Sequence, residues 1–169
     1  MTTRRRNDDS SAVPNMKEIR GGKNGAGQRH VVLVTQWNDF IVNRLLDGAI
    51  GAFEDHGVAQ DDVHVIRIPG AYEIGPAAKK LADSGRYDAV TCLGCVIRGA
   101  TAHFDYVAGQ AARLIAQAAY DTGVPVIFGV ITTENIEQAI ERAGTKAGNK
   151  GYEAAATAIE MVNLYQRLG

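Results

Sequence analysis

The chain of 169 residues is 46% hydrophobic and 22% charged, which is typical of a single soluble globular domain with a buried core. No segment approaches the roughly 20 apolar residues of a membrane span, so a membrane function is excluded. The net charge of −1 conceals a basic start, because residues 1–29 hold seven Lys and Arg against three Asp and Glu. Arg4 to Arg6 are followed by Asp8 and Asp9, a pattern that favours a solvated terminus over a nucleic-acid-binding arm.

Residues 1–28 are predicted to form a mostly flexible basic tail, because they lack periodicity and carry few large apolar side chains. Within this tail, Met16 to Arg20 is compatible with a short edge strand. The basic residues are not followed by the apolar core of about seven residues that a secretory signal requires, so a cytoplasmic location is expected. Residues 29–169 are predicted to form one domain.

Short apolar segments and segments with apolar residues at helical spacing alternate through this domain. In chain order they predict a strand at Val31 to Thr35, a helix at Ile41 to His56, a strand at Val63 to Ile68, a helix at Tyr72 to Ser84, a strand at Ala89 to Ile97, a helix at Thr101 to Asp121, a strand at Val124 to Val130, a helix from an N-cap at Thr133 to Ala143, and a helix at Gly151 to Leu168. Strands separated by helices indicate right-handed crossovers and an α/β fold, with a four-stranded parallel sheet between two helix layers. The turns that follow the strands should meet at the carboxyl edge of the sheet, where such proteins bind ligands.

The segment Ile97 to Asp105 runs from an apolar strand through a glycine turn into a helix whose first residues include His103. The positive end of a helix disfavours the imidazolium, so a histidine there tends to stay neutral and can exchange a proton with a substrate. The alternative is a histidine that only decorates the helix end.

Two other turns carry side chains suited to a planar ligand. Trp37 directly follows the first strand, where an indole could stack on a ring, although a lone tryptophan is also a common core residue. Tyr72 and Glu73 follow a Pro-Gly turn. The Glu73 carboxylate could accept hydrogen bonds from a ligand rich in N–H groups, or could simply favour the helix dipole.

A phosphate site is suggested by Gly94 to Thr101, which has the glycine spacing of a phosphate-binding loop. Ala100 stands where that loop needs lysine, which argues against nucleotide hydrolysis, but the N–H groups of Ala100 and Thr101 could still cradle one phosphate. Arg142 and Lys150 could supply countercharge, or could form ordinary surface salt bridges.

Metal and redox chemistry find little support in the sequence. Cys92 and Cys95 fall within one predicted strand, where roughly 10 Å and opposite faces separate them, so buried reduced thiols are expected. The four histidines are scattered rather than set at metal-ligand spacing. The candidate groups therefore favour proton-transfer catalysis on a planar amine and a phosphorylated partner, without a metal or a redox cofactor.

Taken together, nine segments between Val31 and Leu168 resemble the 6,7-dimethyl-8-ribityllumazine synthase family. They are Trp37-Asn38, Pro69 to Ile74, Leu93-Gly94, Val96 to Thr101, His103 to Val107, Pro125 to Val130, Gln138 to Gly144, Gly148 to Gly151 and Glu153 to Ala155. The resemblance implies a flavodoxin-like fold and condensation of 5-amino-6-ribitylaminouracil with 3,4-dihydroxy-2-butanone 4-phosphate, the penultimate step of riboflavin synthesis. A non-catalytic flavin or lumazine binder on the same fold is the alternative.

The resemblance also assigns roles to individual positions. His103 matches the proposed proton donor. Pyrimidine and ribityl contacts are implied for Trp37, Ala71, Tyr72, Glu73, Cys95, Val96, Ile97 and Phe128, the last contributed by an adjacent subunit, and phosphate-side contacts for Ala100, Thr101, Arg142 and Lys150.

The resemblance further implies an assembly. Family members are pentamers with active sites between neighbours, and some assemble further into decamers or shells of sixty subunits. An N-terminal edge strand from a neighbour would then extend the sheet, and riboflavin synthase would be a candidate partner.

Overall fold

The structure, a computed structural model, describes residues 16–145 and 148–169. Its centre is a sheet of four parallel strands in the order β2-β1-β3-β4. In chain order the elements are β1 (His30–Thr35), α1 (Asp39–Asp55), β2 (Val63–Ile68), α2 (Ile74–Ala82), β3 (Ala89–Ile97), α3 (His103–Thr122), β4 (Val126–Thr133), α4 (Ile136–Arg142), β5 (Ala143–Thr145), β6 (Gly148–Asn149) and α5 (Lys150–Leu168), with short 3₁₀ turns at Gln60–Asp62 and Ala71–Glu73.

Two apolar cores cover the two faces of the sheet. Val32 and Val34 of β1 pack with α1 and α5 on one face, whereas Val31 and Leu33 pack with α2 and α3 on the other. Successive side chains of a strand point to opposite faces, so an uninterrupted apolar strand supplies both cores. The predicted α/β fold, with a four-stranded parallel sheet between helix layers, is confirmed.

Helices α1 and α5 pack so closely that a side chain is excluded where they cross. A Cβ placed on Gly151 would overlap the carbonyl oxygen of Leu45. Asn149 caps α5 at the same place, because its side chain accepts hydrogen bonds from the N–H groups of Gly151 and Tyr152. This close contact fixes the start of α5 against α1.

The two cysteines are free and buried, as predicted. Cys92 belongs to the core beneath α2 and α3, and Cys95 to the core beneath α1 and α5. Burial raises the pKa of both thiols, that of Cys95 to about 11. Neither is therefore a thiolate near neutral pH.

Strands β2 and β3 have the predicted limits, but β4 does not. It runs on to Thr133 because Thr132 and Thr133 still pair with Val96 and Ile97 of β3. The prediction of Thr133 as the N-cap of α4 is therefore wrong. Asn135 occupies that position, and its side-chain oxygen accepts from the backbone N–H of Gln138 at 2.9 Å.

Helix starts also differ from the predicted ones where a turn of another kind intervenes. Tyr72 and Glu73 lie in the 3₁₀ turn before α2, so the helix begins two residues later than expected. Helix α3 likewise begins at His103 rather than Thr101. In both places the residues nearest the carboxyl edge of the sheet are held in a loop rather than in a helix.

The segment before β1 runs along α5. The backbone oxygens of Gly22 and Asn24 accept hydrogen bonds from the side chain of Asn163, and buried Gln28 donates to Asn163 Oδ1 at 2.9 Å. Residues 20–28, within the predicted tail, are thus held against the domain. Met16 to Arg20 forms no strand within the described chain, and Arg4 to Arg6 lie outside the described residues. Across residues 16–145 and 148–169, no helix has both the length and the apolar character needed to cross a membrane.

Candidate active site

A crevice opens at the carboxyl edge of the sheet, between the ends of β1 and β3. The strand order reverses there, since β2 lies on one side of β1 and β3 and β4 lie on the other. Its larger part has a volume of about 520 Å³ and is lined by Trp37, Gly70, Ala71, Tyr72, Glu73, His103, Tyr106 and Val107. A part of about 320 Å³ continues over the end of β3 and is lined by Thr35, Trp37, Asn38, Ala71, Cys95, Val96, Ile97, His103 and Val107. This reversal of strand order is the place where open α/β sheets bind ligands.

Trp37 stands at the mouth of the crevice with 74% of its surface exposed. It is held there by the turn that follows it. Asn38 has φ of 58° and donates from Nδ2 to the carbonyl oxygen of Cys95 at 3.0 Å. Asparagine tolerates this left-handed conformation better than most residues. Asn38 therefore joins the ends of β1 and β3, a positioning role that sequence reasoning missed.

The indole and the Glu73 carboxylate meet above Gly70. A Cβ built on Gly70 would lie 3.2 Å from Trp37 Cδ1 and 3.2 Å from Glu73 Oε2. The backbone at Gly70 is extended, so the demand for glycine here is one of space. An aromatic face and a hydrogen-bond acceptor are thereby brought side by side on one wall.

His103 contributes to both parts of the crevice from the first residue of α3. Its side chain is exposed, and its backbone N–H donates to Thr101 Oγ1 at 3.4 Å. Ala100 and Thr101 are exposed in the loop between β3 and α3. Tyr106 lies one helical turn after His103 and also lines the crevice, and this i, i+3 spacing is a signal that the sequence analysis left unused.

Phe128 and Lys150 lie elsewhere. They line a separate cavity of about 270 Å³, together with Ile127, Gly129, Val130, Ile131, Glu153, Ala154 and Thr157. Phe128 is 46% exposed on the edge strand β4. Lys150 Nζ forms a salt bridge with Glu153 Oε2 at 2.8 Å. None of the residues around this cavity lines the crevice.

Arg142 occupies a third place, the last residue of α4. Its Nη1 donates to the backbone oxygen of Gln138 at 3.2 Å, so the guanidinium bonds to its own helix. It lines neither the crevice nor the Phe128 cavity. Within one copy of the chain, most of the predicted pyrimidine and ribityl contacts thus lie around the crevice with His103, whereas Phe128 and the two candidate cations lie outside it. Ala100 and Thr101 lie in the loop just before His103.

The described residues were also considered as ligands for a metal ion. Within residues 16–145 and 148–169, no group of three or more His, Cys, Asp or Glu side chains could hold a metal ion. The groups that converge in the crevice are an indole, a carboxylate and an imidazole, which can stack, accept hydrogen bonds and transfer protons.

The strand order β2-β1-β3-β4 and the crevice at its switch point define a flavodoxin-like α/β protein with a site for a small molecule. Residues 27–166 match the family described as 6,7-dimethyl-8-ribityllumazine synthase. The chain is also 54% identical, over 153 residues, to a 6,7-dimethyl-8-ribityllumazine synthase of Chlorobium luteolum, a match that covers 90% of this chain and 99% of that protein. The chain belongs to the 6,7-dimethyl-8-ribityllumazine synthase family, and the resemblance found in the sequence is confirmed.

Proposed function

We propose that this chain catalyses the reaction of its family, the condensation of 5-amino-6-ribitylaminouracil with 3,4-dihydroxy-2-butanone 4-phosphate to 6,7-dimethyl-8-ribityllumazine, with release of phosphate and water. The observation that carries the proposal is the presence of Trp37, Glu73 and His103 around one crevice. A ring-stacking surface, an acceptor for N–H groups and a proton-transfer group are what this pair of substrates needs.

The uracil is proposed to stack on Trp37, with its ring N–H groups directed to Glu73. The closeness of these two side chains over Gly70 supports a planar ligand that uses both at once. Ala71, Tyr72 and the end of β3 at Cys95, Val96 and Ile97 would contact the rest of the uracil and its ribityl chain. Most of the gain in rate then comes from holding the two substrates close together in the orientation for reaction, which can lower the activation free energy by several kcal/mol.

His103 is proposed as the group that moves protons. The uracil amine attacks the ketone to give a carbinolamine, which loses water to an imine. Elimination of phosphate and tautomerisation follow, the ribitylamino nitrogen then attacks the remaining carbonyl, and loss of a second water closes the ring; each of these steps transfers a proton. An exposed imidazole at the crevice wall suits these transfers, because one ring nitrogen can accept a proton while the other donates one.

The phosphate is proposed to lie against the N–H groups of Ala100 and Thr101, with Arg142 and Lys150 lent by a neighbouring copy. The separation of these two cations and Phe128 from the crevice of their own chain supports a site completed across a subunit contact. A ring of five subunits, with both edges of the sheet at contacts, fits this arrangement. Decamers, shells of sixty subunits, a neighbour's N-terminal strand, a complex with riboflavin synthase and a cytoplasmic location stay predictions from the sequence.

The reaction is tested by mixing the two substrates with the purified protein and following the absorbance of the lumazine and the release of phosphate. One phosphate should appear for each lumazine. A protein that binds flavin or lumazine and turns over neither substrate would contradict the proposal and support the non-catalytic alternative.

The shared site is tested by reassembling two impaired variants together. At a concentration of the phosphorylated substrate well below its KM, equal amounts of His103→Ala and Arg142→Ala subunits, unfolded and refolded as a mixture, should recover roughly a quarter of the wild-type rate if each site takes one residue from each neighbour. Each variant refolded alone is the control. Recovery no greater than the sum of the two controls would contradict a site completed by a neighbour.

A further inference from the structure

Arg98 is the residue at the centre of the contacts that hold the loop before His103. It directly follows β3, and its side chain is 38% exposed. Its backbone N–H donates to Thr133 O at 2.8 Å, and its Nε donates to Glu134 Oε2 at 2.8 Å. Nη1 donates to Asp105 Oδ1 at 3.2 Å. One side chain thus binds residues from two other elements.

The contacts of Arg98 fall on the two residues next to His103. Its guanidinium carbon lies 4.3 Å from the centre of the Phe104 ring, and Asp105 is the next residue along. A cation stacked on an aromatic face and bonded to a neighbouring carboxylate restrains both side chains. The first turn of α3 is therefore tied to the end of β3.

These contacts of Arg98 take the place of an ordinary N-terminal helix cap. Ala102 occupies the N-cap position of α3 and offers no side-chain hydrogen bond to the helix. Serine, threonine, aspartate or asparagine at that position normally fixes the direction of the first turn. The local side-chain restraint that His103 has is a long hydrogen bond of 3.4 Å from its N–H to Thr101 Oγ1, so the orientation of His103 depends mainly on the longer-range contacts of Arg98.

Glu134, one partner of the guanidinium, connects Arg98 to the helix that carries Arg142. The backbone N–H of Glu134 donates to Gln138 Oε1 at 2.9 Å, and Arg142 Nη1 donates to the backbone oxygen of Gln138 at 3.2 Å. Contacts therefore run without a gap from the start of α3, through Arg98 and Glu134, to the end of α4.

A partly exposed ion pair contributes little to stability. Arg98 differs from an isolated pair because one planar group joins two carboxylates from different elements and stacks on a ring, which lysine cannot do. The hydrogen bond to Glu134 is the main reason that the pKa of the Arg98 side chain is raised, so its charge is permanent. Its expected effect is on geometry rather than on folding.

We infer that Arg98 is a positioning residue, which fixes residues 99–105 so that His103 faces the crevice and the Ala100 and Thr101 N–H groups keep their direction. The effect of Arg98 on kcat rests on the proposed function. The restraint of residues 99–105 does not, and can be measured without any turnover.

The test compares Arg98→Gln and Arg98→Lys with Arg113→Gln as a matched control. Arg113 is an exposed arginine of α3. Within the described residues, its side chain donates hydrogen bonds to Gln110 alone. Arg98→Gln should lower kcat roughly tenfold, since small misplacements of a reacting group are costly, and change the KM of the uracil less than about threefold. Arg98→Lys should recover only part of the loss, and Arg113→Gln should behave as the wild type.

Amide hydrogen exchange gives a readout that does not depend on turnover. Exchange of residues 99–106 should be faster in Arg98→Gln, with that of α1 unchanged. Asp105→Asn and Glu134→Gln should add little further loss of kcat to Arg98→Gln, because they remove the same contacts.

Wild-type kcat together with wild-type exchange in Arg98→Gln would overturn the inference, and so would an equal loss in Arg113→Gln. A fall in kcat that merely follows a lower melting temperature would also overturn it. If the wild-type protein forms no lumazine, the proposed function fails, and the exchange of residues 99–106 still decides the role of Arg98.

Discussion

His30 and His103 stand at opposite ends of the parallel sheet and have opposite environments. His30 opens β1 at the amino edge with no exposed surface, and its Nε2 lies 2.8 Å from Gln28 Oε1. His103 follows β3 at the carboxyl edge and is exposed to the crevice. The same residue type is therefore packed in the core where the sheet begins and is open to a substrate where the sheet ends.

The surroundings of His30 are built for a neutral ring. Gln28 Oε1 can only accept, so His30 Nε2 carries the hydrogen, and Nδ1 has no partner among the described residues. The ring also packs on Phe53, with 4.6 Å between the ring centres. Burial lowers the pKa of His30 to about 4, against a smaller opposing effect of Asp88. A proton added to this ring would have no acceptor.

The largest expected effect in this comparison is the loss of stability in acid. Because His30 stays neutral in the folded chain and takes up a proton at about 6.5 when unfolded, the free energy of unfolding should fall as the pH drops from about 6.5 to about 4. The loss from this one group amounts to about 3 kcal/mol. Denaturant unfolding at fixed subunit concentration measures it.

His30→Gln cannot take up this proton, so its free energy of unfolding should depend less steeply on pH in the same window. His64→Gln, at an exposed position of β2, is the matched control for the replacement of a histidine in the sheet. Parallel slopes for the wild type and His30→Gln would contradict a neutral buried His30.

At the other edge, His103→Ala should lower kcat roughly a hundredfold, since a positioned acid or base contributes that much or more. The KM values should change less, because the side chain acts mainly in the transition state. Steady-state kinetics of lumazine formation measures both. Unchanged turnover would reject the proton-transfer role of His103, and its exposure would then have no functional meaning.

Arg142→Ala should raise the KM of the phosphorylated substrate roughly tenfold, because a charge-assisted hydrogen bond to the phosphate is lost. The KM of the uracil should hardly change. Varying one substrate at a fixed concentration of the other separates the two values. An equal rise for both would indicate damage to the subunit contact instead of a lost phosphate ligand.

The smallest expected effect comes from Gly70→Ala. The added methyl group would lie 3.2 Å from both Trp37 and Glu73, so these side chains must move by a few tenths of an ångström. We expect the KM of the uracil to rise by about threefold or less, with the melting temperature unchanged. Gly109→Ala, where an added Cβ meets nothing within 4 Å, is the control for adding a methyl group at a glycine outside the crevice.

The strands and the site histidine were predictable because their signals are local. Strand β3 is a segment from Ala89 to Ile97 that is apolar except for Thr91, and the structure gives it those limits. His103 follows a glycine turn directly after it. The limit of β4 was not predictable, because Thr133 favours a helix cap by its own residue type and a strand only through its pairing with Ile97.

The sequence alone therefore determined the alternation of strands and helices, the parallel sheet and the family, since apolar spacing and ordered motifs are read along the chain. Only the tertiary structure brought Trp37 and Glu73 together over Gly70, placed Phe128 and Lys150 at another cavity and made Arg98 a link between α3 and the loop that precedes α4. These are contacts between residues far apart in the chain, and packing of the sheet and its helices decides them.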